Sequence, residues 1–261
     1  MSAATSIVDR ILALPRPLLL CFDLDGTLCS IVDDPKDARV PRGVQQDLRQ
    51  LTSIPRVHLA ILTGRDAGAA RRMLRVPGIY RGLEHGRLIV PPGQRVQRKK
   101  PRDTERAMLD AFEAWAKCIA IPAGGELERK RSSRALHVRR LAQRDKTAAR
   151  ALLAQATQRA RSAGLHPRPG RWVVEAELTP GDKGTALRSL ARRTRARGVV
   201  YAGDDITDTP ALRTADELGG VGIFVRSAER PRKPRGISCS VAGPETIARV
   251  VNELAHRLAP P

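Results

Sequence analysis

In LLLCFDLDGTLCS (18–30) an apolar run ends in two carboxylates, Asp23 and Asp25, with Gly26 directly behind them. A strand ending there delivers both acids to one edge of a sheet, and the glycine lets the backbone fold closely around whatever they face. Carboxylates in that position need a cation or a reaction. A second apolar run closes on Leu62-Thr63-Gly64-Arg65-Asp66. It offers a hydroxyl and then the start of a helix, whose unpaired backbone N–H groups suit an anion. A third runs into YAGDDITD (201–208), bringing Asp204, Asp205 and Asp208. Acids in this number at strand ends suit Mg2+, a hard cation that takes oxygen ligands and keeps some of its waters. Lys183, at the head of a helical segment, supplies a fixed cation for phosphate oxygens. Singly, each has a bland reading: DxDGT as an Asp-rich turn, TGR as a helix cap, DKG as a helix start. In this order they form a specific combination.

The elements that position these residues can be read from apolar patterning. Strands are expected at 17–23, 57–62, 79–83, 199–202 and 221–225, several apolar throughout as buried parallel strands are. Helices are expected at 44–52, 66–74, 183–195 and 244–258. The alternation implies an α/β fold, a doubly wound parallel sheet with ligands at the carboxyl ends of its strands. The middle, about 102–174, reads differently: a helix (103–120), a strand pair around ELERKRSSRALHVRR, a second helix (145–164) and a strand at RWVVEAEL. Two Pro/Gly-bearing stretches, 90–101 and 178–184, flank it as linkers. The expected division is therefore a core at 1–98 and 178–261 with a smaller α+β domain inserted at 99–177. A domain entered and left by two linkers can hinge and shield a reaction from water.

Composition bounds the partners. The 261 residues, 41% hydrophobic, can fill a real core, and no window reaches the roughly 20 apolar residues of a membrane span. The first ten residues lack a secretion signal, so a cytoplasmic location is expected, with no membrane partner. Cys21, Cys29, Cys118 and Cys239 have no disulfide or zinc spacing and read as small packed or free thiols, Cys118 and Met73 as packing residues. The net charge of +20, from 47 Lys+Arg against 27 Asp+Glu, raises nucleic acid as a partner. Yet the basic residues run through nearly every segment, denser at RKKPR (98–102), RRTRAR (192–197) and RPRKPR (230–235). Only 3% of residues are aromatic, so a stacking surface for single strands has little to be built from. No specific nucleic acid is expected. The field would instead draw in anionic small molecules, and a monomer or weak oligomer is expected.

FDLDGTL, LTGR, DKG and GDDITD together resemble the four motifs of the haloacid-dehalogenase superfamily of phosphotransferases. The resemblance covers about 15–90 and 178–258, and the insertion falls where that superfamily places one type of cap. It implies a Rossmann-like core and a Mg2+-dependent phosphoric monoester hydrolase. In that reading Asp23 attacks phosphorus to form an aspartyl-phosphate, and Asp25 protonates the leaving oxygen and then activates water. Thr63, Gly64 and Lys183 hold the phosphate, Asp204 binds the metal with Asp23 and the Asp25 carbonyl, and Asp205 and Asp208 support them. GGELERKRSSRALHVR (124–139) and GRWVVEAELTPGDKG (170–184) resemble cap segments of the trehalose-6-phosphate phosphatases. That likeness assigns Glu128, Lys130 and Glu175 to the sugar, with Arg65 and His85 also substrate-binding. The chain departs from the pattern in reading EAELTP where an Arg-Pro is usual and Thr209 where a Glu is usual. Another sugar phosphate, of the sucrose 6-phosphate or mannosyl-phosphoglycerate type, is the alternative substrate. A basic nucleic-acid-binding protein on a non-catalytic core is the remote one, with no reason to keep both Asp23 and Asp25. Without the likeness, an E-x-K on a strand is a solvated ion pair worth under about 1 kcal/mol, and His137 is structural.

Overall fold

The computed structural model describes residues 3–96 and 100–259 and folds as two compact units, Met1–Val96 with Gly181–Pro261 and Gln97–Pro180. The expected boundary at 98/99 lies outside the described residues, as do Arg98 and Lys99 of the basic run. The second boundary stands at Pro180, against an expected end at Glu177.

The first unit begins with α1 (Ala3–Leu12), β1 (Leu18–Phe22), α2 (Arg42–Thr52), β2 (Val57–Leu62), α3 (Ala67–Met73), β3 (Tyr80–Leu83) and β4 (Leu88–Val90). The second contains α4 (Asp103–Trp115), a π-helical turn (Ala116–Ala120), β5 (Glu126–Arg129), β6 (Ser133–His137), α5 (Arg139–Arg144), α6 (Lys146–Ser162), β7 (His166–Gly170) and β8 (Val173–Glu177). The first unit resumes with α7 (Lys183–Thr194), β9 (Gly198–Gly203), a short 3-10 turn (Ile206–Asp208), α8 (Thr209–Glu217), β10 (Val221–Val225), β11 (Cys239–Val241) and α9 (Pro244–Leu258).

Seven strands form the first sheet in the order β11-β10-β9-β1-β2-β3-β4, parallel except for β4 against β3. Central β1 explains its own composition. Leu18, Leu20 and Phe22 pack on one face with α1, α2 and α9, through Val8, Leu48 and Leu254; Leu19 and Cys21 pack on the other with α7 and α8, through Leu187 and Leu212. With both faces covered, no position in the strand can be polar until it leaves the sheet. The register then decides what meets there: Phe22 stands opposite both Ile61 and Ala202, so β1, β2 and β9 end at the same level.

The second unit is a four-stranded antiparallel sheet, β5-β6-β8-β7, packed against α4 and α6 around Phe112, Leu136, Leu152 and Val174. Buried Ala149, Ala156 and Ala160 let α6 lie close to the sheet. A charged hub supports this small core. The buried Glu113 carboxylate accepts from Arg129 at 2.6 and 2.9 Å and from Arg134 Nε at 2.9 Å, and pairs with Lys117 at 2.8 Å. The hydrogen bonds from Arg129, chiefly, hold Glu113 down at about 2.

The expected strands at 57–62 and 221–225 and the helix at 244–258 match in their bounds, and the others differ by one or two residues at their ends. Helix α1, strands β4, β7 and β11 and helices α5 and α8 were not anticipated. Strands β4 and β11 are three residues long, too short to show a period. Strand β7 reads His-Pro-Arg-Pro-Gly; prolines cannot donate to a ladder, and β7 lies at the sheet edge, where they are tolerated. Met73 is buried as expected, whereas Cys118 is exposed, a correction to its reading as a packing residue: it sits on the outer side of the π-helical turn.

Glu113→Gln is expected to lower the stability of the second unit by about 1–3 kcal/mol, since three cations lose a charged acceptor. Because Glu113 lies below its ordinary 4.5, its contribution is full above that pH and fades as the pH falls towards about 2. Denaturant unfolding across pH 2–6 checks both: the variant's curve should converge on the native one at the acid end.

Candidate active site

The aligned ends of β1, β2 and β9 bring Asp23, Thr63 and Asp204 to one edge of the sheet, each buried and each the first residue past its strand. The backbone N–H of Asp23 still donates to Ala202 at 2.9 Å and that of Thr63 to Gly82 at 2.9 Å, so the side chains issue from backbone fixed by the sheet. Lys183 opens α7, as expected, with Asp182 as the helix cap accepting from the N–H groups of Gly184 and Thr185. Its Nζ lies 3.0 Å from Asp23 Oδ1 and 2.6 Å from Asp208 Oδ1. Tyr201, fully buried on β9, donates its hydroxyl to the same Asp208 oxygen at 2.6 Å, and the other accepts from Asp205 N–H at 2.9 Å. The arrangement is a row, Asp23–Lys183–Asp208–Tyr201, held from behind by α7 and β9.

Gly26 is required beside this row. Its φ is +74°, and a Cβ there would stand 2.2 Å from Asp204 Oδ2, so only glycine lets the turn after Asp25 pass so near a carboxylate.

Positive charge is scarce here. Asp23, Asp204 and Asp208 each offer a carboxylate oxygen within 4.8 Å of the others, with Lys183 the ammonium that pairs with two of them. Burial pushes Asp23 well above its ordinary range; Lys183 pulls the other way, but Asp208, Asp204 and Asp25 push it up again. Burial, then Asp208 and Asp205, pushes Asp204 up to about 7. For Lys183, burial works against the charge, yet Asp208 and Asp23 override it and hold the ammonium above its ordinary range. One cation among three buried carboxylates leaves a deficit that a metal ion fits. Asp208 already accepts from three groups, which leaves Asp23 and Asp204 with more capacity for a cation.

Asp25, two residues on, is held differently. Arg65 grips it with both arms of the guanidinium, Nε to Oδ2 at 2.9 Å and a terminal nitrogen to Oδ1 at 2.6 Å, and also reaches Pro35 O at 2.9 Å. Thr63 accepts the Arg65 N–H at 3.1 Å on its hydroxyl, whose own proton has no acceptor among the described residues. His85 donates its backbone N–H to Thr63 O at 2.8 Å, and its ring lies so close to Gly64 that a Cβ there would stand 2.5 Å away. The sequence thus places Thr63, Gly64, Arg65 and His85 together. The expected anion-binding helix start after Arg65 is corrected: Asp66 caps α3 itself, accepting from Ala69 N–H at 2.7 Å. A carboxylate occupies that helix end. Asp205 pairs with Arg230 at 2.7 Å, a partner hidden in the RPRKPR run.

In the second unit, Glu128, Ala135, Glu175 and Arg168 stand in register across the four strands and so share a face. Lys130 lies one residue past β5 and pairs with Glu175 at 2.9 Å, both side chains largely buried; Ser133 donates to the other Glu175 oxygen at 2.6 Å. Glu128 meets His137 at 3.1 Å, so Glu128 and Lys130 are not each other's partners and the solvated E-x-K pair does not form. Ser133 and His137 were missed as members of this cluster, and a serine or a histidine on a strand carries no signal without its register.

A family model described as trehalose-phosphatase matches residues 21–245. A trehalose-phosphate phosphatase of Mycobacterium ulcerans is 32% identical over 259 residues, covering 95% of this chain and 64% of that protein. An uncharacterized glycosyl hydrolase of Mycobacterium tuberculosis is 31% identical over 261 residues, 96% of this chain and 19% of that protein. The chain thus spans about two thirds or less of the curated relatives it matches. Among solved structures, the C-terminal domain of Candida albicans trehalose-6-phosphate phosphatase aligns with a TM-score of 0.78 at 18% identity, over 97% of this chain and 96% of that one. A trehalose-6-phosphate phosphatase related protein aligns at 0.68 with 21% identity, over 92% and 97%. At these identities the structures bear on the fold.

Because Asp204 takes up a proton more readily folded than unfolded, the metal-free protein is expected to lose stability as the pH rises from about 4 to about 7. Asp204→Asn should flatten that slope and raise stability at pH 7 by on the order of 1–4 kcal/mol. Thermal unfolding in chelator checks this, and added Mg2+ should stabilise the native protein while leaving the variant unmoved.

Proposed function

We propose that this chain, which belongs to the trehalose-phosphatase family, hydrolyses trehalose 6-phosphate to trehalose and inorganic phosphate, with Mg2+ as its metal and the phosphoryl group carried on Asp23. The observation that carries the reading is the row Asp23–Lys183–Asp208 at 3.0 and 2.6 Å beside Asp204. It presents a carboxylate at a strand end, held by a lysine, in a cluster short of positive charge. A nucleic-acid-binding surface has no use for such a cluster.

The steps follow from the residues. An Asp23 oxygen attacks phosphorus as the bond to the sugar oxygen breaks, and Asp25 gives that oxygen its proton. Asp25 then takes a proton from water, the water oxygen attacks phosphorus, and Asp23 departs as a carboxylate. Lys183 uses two of its three N–H donors on Asp23 and Asp208, leaving the third for a phosphate oxygen, and we assign Thr63 and Gly64 to the same phosphate. Asp208 and Tyr201 keep Lys183 pointing at the reaction, and Asp205 supports the loop. Asp23, Asp204 and the Asp25 carbonyl would hold Mg2+, which would supply charge neutralisation for the phosphoryl oxygens. Both Asp25 oxygens accept from Arg65, so the proton transfer requires Arg65 to release one of them; we assign Arg65 and His85 to the substrate. Glu128, Lys130 and Glu175 are assigned to the sugar hydroxyls, with the second unit as the cap. The substrate is a soluble sugar phosphate and the setting cytoplasmic.

Phosphate release from a panel containing trehalose 6-phosphate, sucrose 6-phosphate and mannosyl-phosphoglycerate tests the substrate; a preference for either of the last two overturns the disaccharide assignment. Asp23→Asn should abolish turnover with the fold intact, and chelator should do the same to the native protein until Mg2+ is restored. Full activity in chelator would remove the metal from the mechanism.

Glu128→Ala, Lys130→Ala and Glu175→Ala should each cut kcat/KM for trehalose 6-phosphate by about 100-fold, through lost hydrogen bonds and looser positioning. A small aryl phosphate, with no disaccharide to grip, should be hydrolysed by them as by the parent. Equal losses on both substrates would mean that these residues support the fold of their unit.

A further inference from the structure

A cavity of about 570 Å3 opens in the first unit between the end of α3 and β3, and four arginines line it, the exposed Arg71, Arg72 and Arg75 and the half-buried Arg81. No carboxylate contributes to the lining. None of the four side chains has a hydrogen-bond or ion-pair partner among the described residues, although elsewhere arginines are paired: Arg188 with Glu217, Arg230 with Asp205, Arg257 with Asp9. Arg71 and Arg72 belong to the last turn of α3, where the helix dipole favours cations and gives a structural reason for them. Arg75 and Arg81 have no such reason.

The frame that holds them is rigid. Leu74 and Val76 are buried on either side of Arg75, whose backbone N–H donates to Gln45 at 3.0 Å and whose carbonyl accepts from Arg49 at 3.0 Å. Arg81 stands on β3, paired on both sides, opposite Ile61 and Val90. Four like charges on fixed backbone repel one another, a cost that a bound anion reverses. A concave basic wall focuses the field, and planar guanidinium forks match phosphate oxygens two at a time. The rest of the lining, including Val76 and Pro77, contains no aromatic ring on which a base could stack.

We infer that this cavity binds a compact oligophosphate, at a site distinct from Asp23 and Lys183. The inference does not rest on the proposed reaction.

Inorganic tripolyphosphate is the probe. Calorimetric titration of the full chain gives the affinity, and hydrogen–deuterium exchange locates the site. The ligand should slow exchange across residues 68–81. Arg72→Glu with Arg75→Glu should weaken the tripolyphosphate site by at least about tenfold and abolish that protection. Arg192→Glu with Arg193→Glu, an equal change of charge on exposed arginines of α7, should change neither by more than about twofold. If the first pair fails to fold by circular dichroism, Arg72→Gln with Arg75→Gln replaces it, with weakening of at least about threefold expected. Equal weakening by both pairs would reduce the binding to diffuse attraction by the net charge, and unchanged exchange across 68–81 in the native protein would remove the site; either result overturns the inference.

Discussion

A buried ammonium between two buried carboxylates is the constraint on which the rest of this structure depends. Lys183 is 2% exposed, and neither it nor Asp23 and Asp208 could be charged alone at that depth. Together they fix one another. The requirement reaches outward: Asp208 must be oriented by Tyr201 and by the Asp205 N–H, and Lys183 must open a helix whose cap, Asp182, is itself fixed. Replacing Lys183 leaves two buried carboxylates without their shared cation, which costs far more than a surface ion pair.

The sheet makes that geometry affordable by supplying the acids from strand ends at one level. β1 is central and covered on both faces, so its polar residues can begin only where it leaves the sheet, and β2 and β9 end beside it. Even so the cluster has more negative than positive charge, and the neighbouring carboxylates add to burial, the larger cause, in displacing Asp23 and Asp204 upward. A deficit of positive charge suits a metal ion and, on the function proposed above, the same deficit would be filled as Asp23 meets a phosphoryl group.

Much of this was legible in the sequence, for a physical reason. Strands buried on both faces leave uninterrupted apolar runs, so the positions of β1, β2, β9 and β10, and hence of Asp23, Thr63 and Asp204, could be read directly. What depends on register or on a distant partner could not. Tyr201 reads as one more residue of an apolar strand, and its bond to Asp208 exists only once β9 and the turn after it are folded. Arg65 is two residues from Thr63 in the sequence, but its fork around Asp25 crosses from one strand end to the next. The second unit was legible in its helices and its central strands, while β7 was concealed by the prolines that its edge position permits.

On the function proposed above, Asp23 is the nucleophile of that cluster, so its carboxylate must carry phosphorus during turnover. Acid quenching of the Mg2+-loaded protein a few milliseconds after mixing with trehalose 6-phosphate, followed by peptide mass mapping, reads this directly. The account predicts the mass of one phosphoryl group on the peptide containing Asp23, gained with substrate and lost as turnover ends. A phosphoryl group on any other residue, or rapid turnover with none on Asp23 at any time, would contradict it.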